Sequence, residues 1–91
     1  MSETATFHAM REKVVAAIMA NPVVVPDSLE LMARIQDAAG DCTFEELAFD
    51  SLARMEFCIF LECEFGISIT SGSLENHPSI AAMARHLATS T

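Results

Sequence analysis

Apolar residues recur every three or four positions along most of this chain, the period of helices that bury one side. Phe7, Met10, Val14 and Ile18 keep that spacing, Val15 and Ala17 widen the stripe, and Arg11, Glu12 and Lys13 fall mostly on the other side. The spacing predicts a first helix over about residues 4–20. Asn21-Pro22 ends it, because the residue before a proline is pushed out of the helical region. Val23 to Pro26 lies between two prolines and reads as an extended linker rather than a strand. Leu29, Met32 and Ile35 resume the helical spacing behind the capping pattern Asp27-Ser28-Leu29-Glu30. A short helix is therefore predicted over about residues 28–39, with Gly40 as its stop.

Thr43 and Glu46 form a second capping box, which opens about one helical turn through Leu47. Asp50 or Ser51 then caps the strongest predicted helix, residues 51–65. Within it Phe57, Leu61 and Phe65 are spaced as a core ridge, while Leu52, Met55 and Ile59 make a second apolar strip on another side. Arg54, Glu56, Glu62 and Glu64 supply the polar positions. One strip serves the core; the other is either a second packed face or a surface for another molecule. Gly66 ends the helix, and Ile67-Ser68-Ile69 alternates over too few residues for a sheet. Residues 71–76 suit a short helical turn. His77-Pro78-Ser79 opens a last helix with proline in its first turn, Ile80, Met83, Ala84 and Leu87 form its buried face, and residues 89–91 fray. No internal repeat is present, and the fold class is all-α.

Composition narrows the function. A chain of 91 residues, 52% of them hydrophobic, supports one domain over residues 1–91 with one small core. Three Gly and three Pro are too few for the tight turns of a β-sandwich. The formal charge of −8, from 13 acidic and 5 basic side chains, argues against nucleic acid and against an anionic membrane, since both need Lys and Arg. It suits partners with basic surfaces. Cys42, Cys58 and Cys63 lack a C-x-x-C spacing, and on one helix positions 58 and 63 are turned about 500° apart, so neither zinc nor a disulfide framework is expected. They read as buried or partly buried free thiols. The apolar run from Val14 to Ala20 is too short and too late for a secretory signal, and no stretch reaches the length of a membrane span, so a cytoplasmic protein is expected.

The candidate chemistry lies in residues 43–56, which read TFEELAFDSLARME. Ser51 places a small hydroxyl at a predicted helix start, where unpaired backbone N–H groups and the positive dipole end favour a phosphodiester. The alternative is that Asp50 and Ser51 only cap the helix. The segment resembles the attachment-site signature of acyl carrier proteins and peptidyl carrier proteins: a Phe-x-x-Leu segment, an Asp-Ser-Leu triplet opening a main helix, and a Glu four residues after that leucine. Here these are Phe44, Leu47, Asp50-Ser51-Leu52 and Glu56. LECEFGISI over residues 61–69 resembles the family's helix exit, and HPSIAAMARHL over residues 77–87 the final helix of peptidyl carrier domains. The first helix matches only in character.

The resemblance implies a free-standing carrier protein with the small four-helix bundle of the acyl carrier type, to which the predicted helix over residues 28–39 adds an extra element in a long first connection. It implies a 4′-phosphopantetheine arm on Ser51, flanked by Asp50 and Leu52. A phosphopantetheinyl transferase adds the arm from coenzyme A, and its thiol carries an acyl or aminoacyl group as a thioester. Implied partners are that transferase, a loading ligase, among them ones related to aminoacyl-tRNA synthetases, and downstream acceptor enzymes. Leu52, Met55, Glu56 and Ile59 are the candidate partner-facing residues. Three positions depart from the pattern. Ala48 stands where the family commonly has Gly, Ala53 replaces a frequent acidic residue, and Arg54 adds a positive charge. These changes point away from primary fatty-acid synthesis and toward a specialised pathway. The rival is an interaction module of the same fold that carries no arm. An enzyme is not expected: Ser51 has no His at triad spacing, and a bundle this small has little room for a pocket. His8, His77 and His86 read as helix-end or surface residues.

Overall fold

Five helices account for the regular structure of the described residues, 3–24 and 28–89, in a computed structural model of the chain. They are α1 (Glu3–Met19), α2 (Leu29–Gln36), α3 (Ser51–Phe65), α4 (Ser71–Asn76) and α5 (Ile80–Thr89). Helix α1 packs against α5 and α3, and α4 packs against α3. The all-α architecture and the extra helix in the first connection follow the predicted pattern. Residues 25–27, half of the predicted linker together with Asp27 of the capping pattern, and the last two residues of the expected fray lie outside the described residues.

Each apolar stripe ends where predicted or close to it. Ser28 caps α2, accepting the Leu31 amide at 3.3 Å. Helix α2 stops at Gln36 rather than at residue 39, because Asp37 is already extended and its carboxylate accepts the Ala39 amide in a turn. Gly40 serves by close approach: a Cβ there would stand 2.3 Å from the Arg34 carbonyl oxygen. Helix α5 starts at Ile80, three residues later than predicted, with the Ser79 hydroxyl accepting the Ala82 amide at 3.1 Å. The Pro78 carbonyl instead accepts the Phe44 amide at 2.9 Å, and the Ile80 amide donates to Cys42 at 3.1 Å, which ties the loop before α3 to the head of α5.

The core joins Val14, Ala17 and Ile18 of α1 to Phe57 and Leu61 of α3 and to Ile80, Met83 and Leu87 of α5. Phe65 is not in the expected ridge and is 38% exposed. Each four-residue step along a helix drifts about 40°, so by the second step the side chain has turned about 80° from Phe57. The upstream member of the ridge is Ala53, fully buried, and Phe65 instead lies under the Lys13 ammonium, 5.6 Å from its ring centre.

Arg11 is the second correction. It is 6% exposed rather than solvated. Its Nη2 donates to the carbonyls of Arg34 at 3.3 Å, Ile35 at 3.1 Å and Gly40 at 2.9 Å, placing a cation on the negative end of α2. The cysteines divide: Cys42 is buried, Cys58 half-buried and Cys63 exposed, so the expectation of buried or partly buried thiols fails at Cys63. Burial pushes the Cys42 and Cys58 thiols up. Among the described residues no helix is long and apolar enough to cross a membrane.

Candidate modification site at the start of helix α3

The approach to α3 is built from a turn with three apolar anchors. Phe44, Leu47 and Phe49 are all buried. The Phe44 and Phe49 rings lie 5.1 Å apart, and both meet Phe57 of α3, at 5.3 and 5.9 Å. The Thr43–Glu46 box is present: the Thr43 amide donates to Glu46 at 2.9 Å and the Glu46 amide to the Thr43 hydroxyl at 3.0 Å. The segment stays a turn, closed by the Phe49 amide donating to the Phe44 carbonyl at 3.0 Å. Glu46 also receives Arg34 at 2.7 Å, and that hydrogen bond holds its carboxyl below the usual range.

Closing the turn requires a left-handed residue, and Ala48 takes it at φ 58°. The departure at this position therefore leaves a left-handed turn intact at the cost of backbone strain in an alanine.

Asp50, extended at φ −89° and ψ −173°, is the cap of α3, and its Oδ1 accepts the Ala53 amide at 2.8 Å. Ser51 is thus the first helical residue, and it is exposed. Among the described residues the Ser51 and Leu52 amides have no acceptor. The first turn of α3 carries no acidic side chain beyond its cap. An exposed hydroxyl beside two unsatisfied N–H groups at a positive dipole end fits a phosphodiester, which needs acceptor-side neutralisation and room outside the fold.

A buried residue of α1's exit holds this arrangement from the other side. Asn21 Nδ2 donates to the Ala53 carbonyl at 2.9 Å, and its Oδ1 accepts the Val23 and Val24 amides at 2.9 and 3.3 Å. In the sequence Asn21 reads only as a helix stop. The available signal was its type, since Asn bonds readily to nearby backbone. Arg11 gave a signal as well: it stands three residues before Val14 and seven before Ile18, on the face that is buried.

Leu52, Met55 and Ile59 are 48%, 49% and 46% exposed, so the strip left open between core and surface lies outside the core. Glu56 is half-buried beside it. Arg54, on the opposite flank of Ser51, pairs with Glu75 of α4 at 3.5 Å. His77 caps α4 and stacks on His86 in the last turn of α5, with ring centres 4.0 Å apart. His8 is exposed.

No curated protein and no solved structure matches the chain significantly. One family model does, the phosphopantetheine attachment site, over residues 28–87. That span runs from the cap of α2 to the last buried residue of α5 and so includes the turn, the cap and all of α3. A match across most of the chain, on a helical bundle that presents a capped serine at a helix start, makes this protein a member of the phosphopantetheine-attachment family, non-catalytic carriers whose 4′-phosphopantetheine is covalently held and which meet a phosphopantetheinyl transferase and acyl-handling enzymes.

Proposed function

We propose that Ser51 is the attachment residue of this carrier. The observation that supports it most directly is the exposed Ser51 at the first position of α3, beside the unpaired amides of Ser51 and Leu52. In this reading the Ser51 hydroxyl gives its proton to the transferase and its oxygen attacks the pantetheine-side phosphorus of coenzyme A, forming the phosphodiester as the pyrophosphate P–O bond breaks and adenosine 3′,5′-bisphosphate leaves. Asp50 keeps the helix start in place by holding the Ala53 amide, and Leu52 lends its free N–H to the phosphate. The arm supplies a terminal thiol on a long tether, on which cargo is held as a thioester.

Leu52, Met55 and Ile59, with Glu56 at their edge, form the face that partner enzymes meet. The strip is apolar and exposed, it begins beside Ser51, and the net charge of −8 attracts basic partner surfaces. Residues 1–91 act as one carrier domain. The cargo is an aminoacyl or short acyl group of a specialised pathway, loaded by a ligase, relatives of aminoacyl-tRNA synthetases being among the candidates, and consumed by an acceptor enzyme. The resemblance of residues 77–87 to peptidyl carriers and the Ala53-Arg54 pair support this. Coenzyme A as donor and a free thiol as product suit the cytoplasm.

Intact mass after incubation with coenzyme A and a broad-specificity transferase tests the assignment. A gain of one phosphopantetheine on the wild type and none on Ser51→Ala is expected. An unchanged wild-type mass would favour the armless interaction module.

A further inference from the structure

The phosphodiester expected on Ser51 is an anion placed next to the Asp50 carboxylate, and it calls for a nearby cation. The chain has five Lys and Arg residues. Four are engaged elsewhere: Arg11 on the carbonyls at the end of α2, Arg34 on Glu46, Lys13 over Phe65 and Arg85 over Phe7. The fifth, Arg54, is the one basic residue of α3. It stands three positions after Ser51, a spacing that makes the two neighbours on the helix surface. Helical side chains lean toward the N-terminus, so a residue in Arg54's place reaches back over the turn that holds Ser51.

Its present partner holds it lightly. Arg54 Nη1 meets Glu75 Oε1 at 3.5 Å through a single contact, and the Glu75 side chain is 70% exposed. Exposed single-contact pairs of this kind are among the weakest in proteins. A phosphodiester held on the same helix three positions away offers a guanidinium two oxygens for paired hydrogen bonds, where the largely exposed Glu75 carboxylate offers one contact at 3.5 Å.

We propose that Arg54 is the counter-ion of the Ser51 phosphodiester, exchanging Glu75 for the phosphate when the serine is modified, so that attachment loosens the tie between α3 and α4. The proposal rests on the Ser51 assignment. It gives the arginine that departs from the family pattern a task, and it makes the unmodified and modified forms differ at α4, a helix of the same bundle that does not carry the serine.

The test compares wild type, Arg54→Gln and Glu75→Gln, each before and after modification driven to completion with excess transferase, with intact mass as the check of loading. Amide hydrogen exchange of residues 71–76 and the phosphorus NMR shift of the phosphodiester are the readouts. Modification should speed exchange in wild-type α4 by about twofold to fivefold, the range an exposed ion pair carries. Unmodified Glu75→Gln should already exchange at the faster rate and gain nothing further on modification. Arg54→Gln should show the same fast exchange in both forms and a displaced phosphorus resonance. Complete loading with α4 exchange unchanged in wild type, or with identical phosphorus shifts in wild type and Arg54→Gln, overturns the counter-ion exchange and leaves Ser51 standing. Absence of any mass gain on the wild type overturns both.

Discussion

The side-chain amide of Asn21 donates to the carbonyl of Ala53 across 2.9 Å, joining residues 32 positions apart. The same side chain accepts two amides of the chain that follows it. One buried residue thereby closes α1, shapes the start of the first connection and ties it to the first turn of α3.

Replacing Asn21 with Leu should therefore cost about 1–3 kcal/mol, since it leaves the Val23 and Val24 amides without their acceptor, Val24's in the core, and takes from the Ala53 carbonyl the donor it has besides its helical one. Urea unfolding measures the loss. Asn21→Asp keeps the acceptor but sets a carboxylate against the Ala53 carbonyl, and a comparable loss is expected. A stability change under about 0.5 kcal/mol in both variants would mean that water replaces the side chain and the bond does not govern the site.

Ala48 offers the opposite sign. At φ 58° it holds a conformation that disfavours any side chain bearing a Cβ. Ala48→Gly should raise stability by about 0.5–1 kcal/mol, the relief of strain being partly offset by the greater freedom of glycine in the unfolded chain. A lower thermal midpoint for the glycine variant would contradict the left-handed assignment.

His86 predicts a pH response. Burial first, and His77 second, lower its pKa from 6.5. The unfolded chain then binds a proton more readily than the folded one, so this contribution is complete above about pH 6.5 and is lost as pH falls through the folded-state value. His86→Gln should flatten the stability profile in that window. The Glu46 carboxyl, held low by Arg34, acts in a separate window that opens only below its ordinary 4.5. A wild-type profile that is flat between pH 7 and 5 would refute the His86 assignment.

For the exposed strip the two properties should separate. Met55→Ala and Ile59→Ala are expected to shift unfolding by no more than about 0.5–1 kcal/mol, because about half of each side chain is already in water. The rate of phosphopantetheine transfer at limiting enzyme should fall in both. Losses of about 2–4 kcal/mol would instead mark the strip as packed core.

Much of this was legible in local pattern. The period of apolar residues located α1, α2 and α5 within a few positions and α3 to the residue, because a helix that buries one face must repeat at its own pitch, and the short turn expected over residues 71–76 is α4. Asp50-Ser51 and Gly66 marked both ends of α3, the first through side-chain capping and the second through the left-handed backbone that glycine takes at φ 68°, both acting within one turn. Phe65 was misread because a run of i, i+4 steps rotates away from the core as it lengthens. The start of α5 was misplaced because the Pro78 carbonyl is taken by Phe44, a partner far away in the chain.

By itself, then, the sequence determined the helical class, a helix start at Asp50-Ser51 and the family signature around it, all of which depend on neighbours a few residues apart, while the choice of Asp50 over Ser51 as the cap came with the structure. Only the tertiary structure decided that Arg11 is buried on the end of α2, that Asn21 reaches Ala53, that Arg54 meets Glu75, and which apolar strip of α3 stays in water. Those outcomes turn on which distant backbone groups and faces come together in the folded chain, and side-chain type carries no record of that distance.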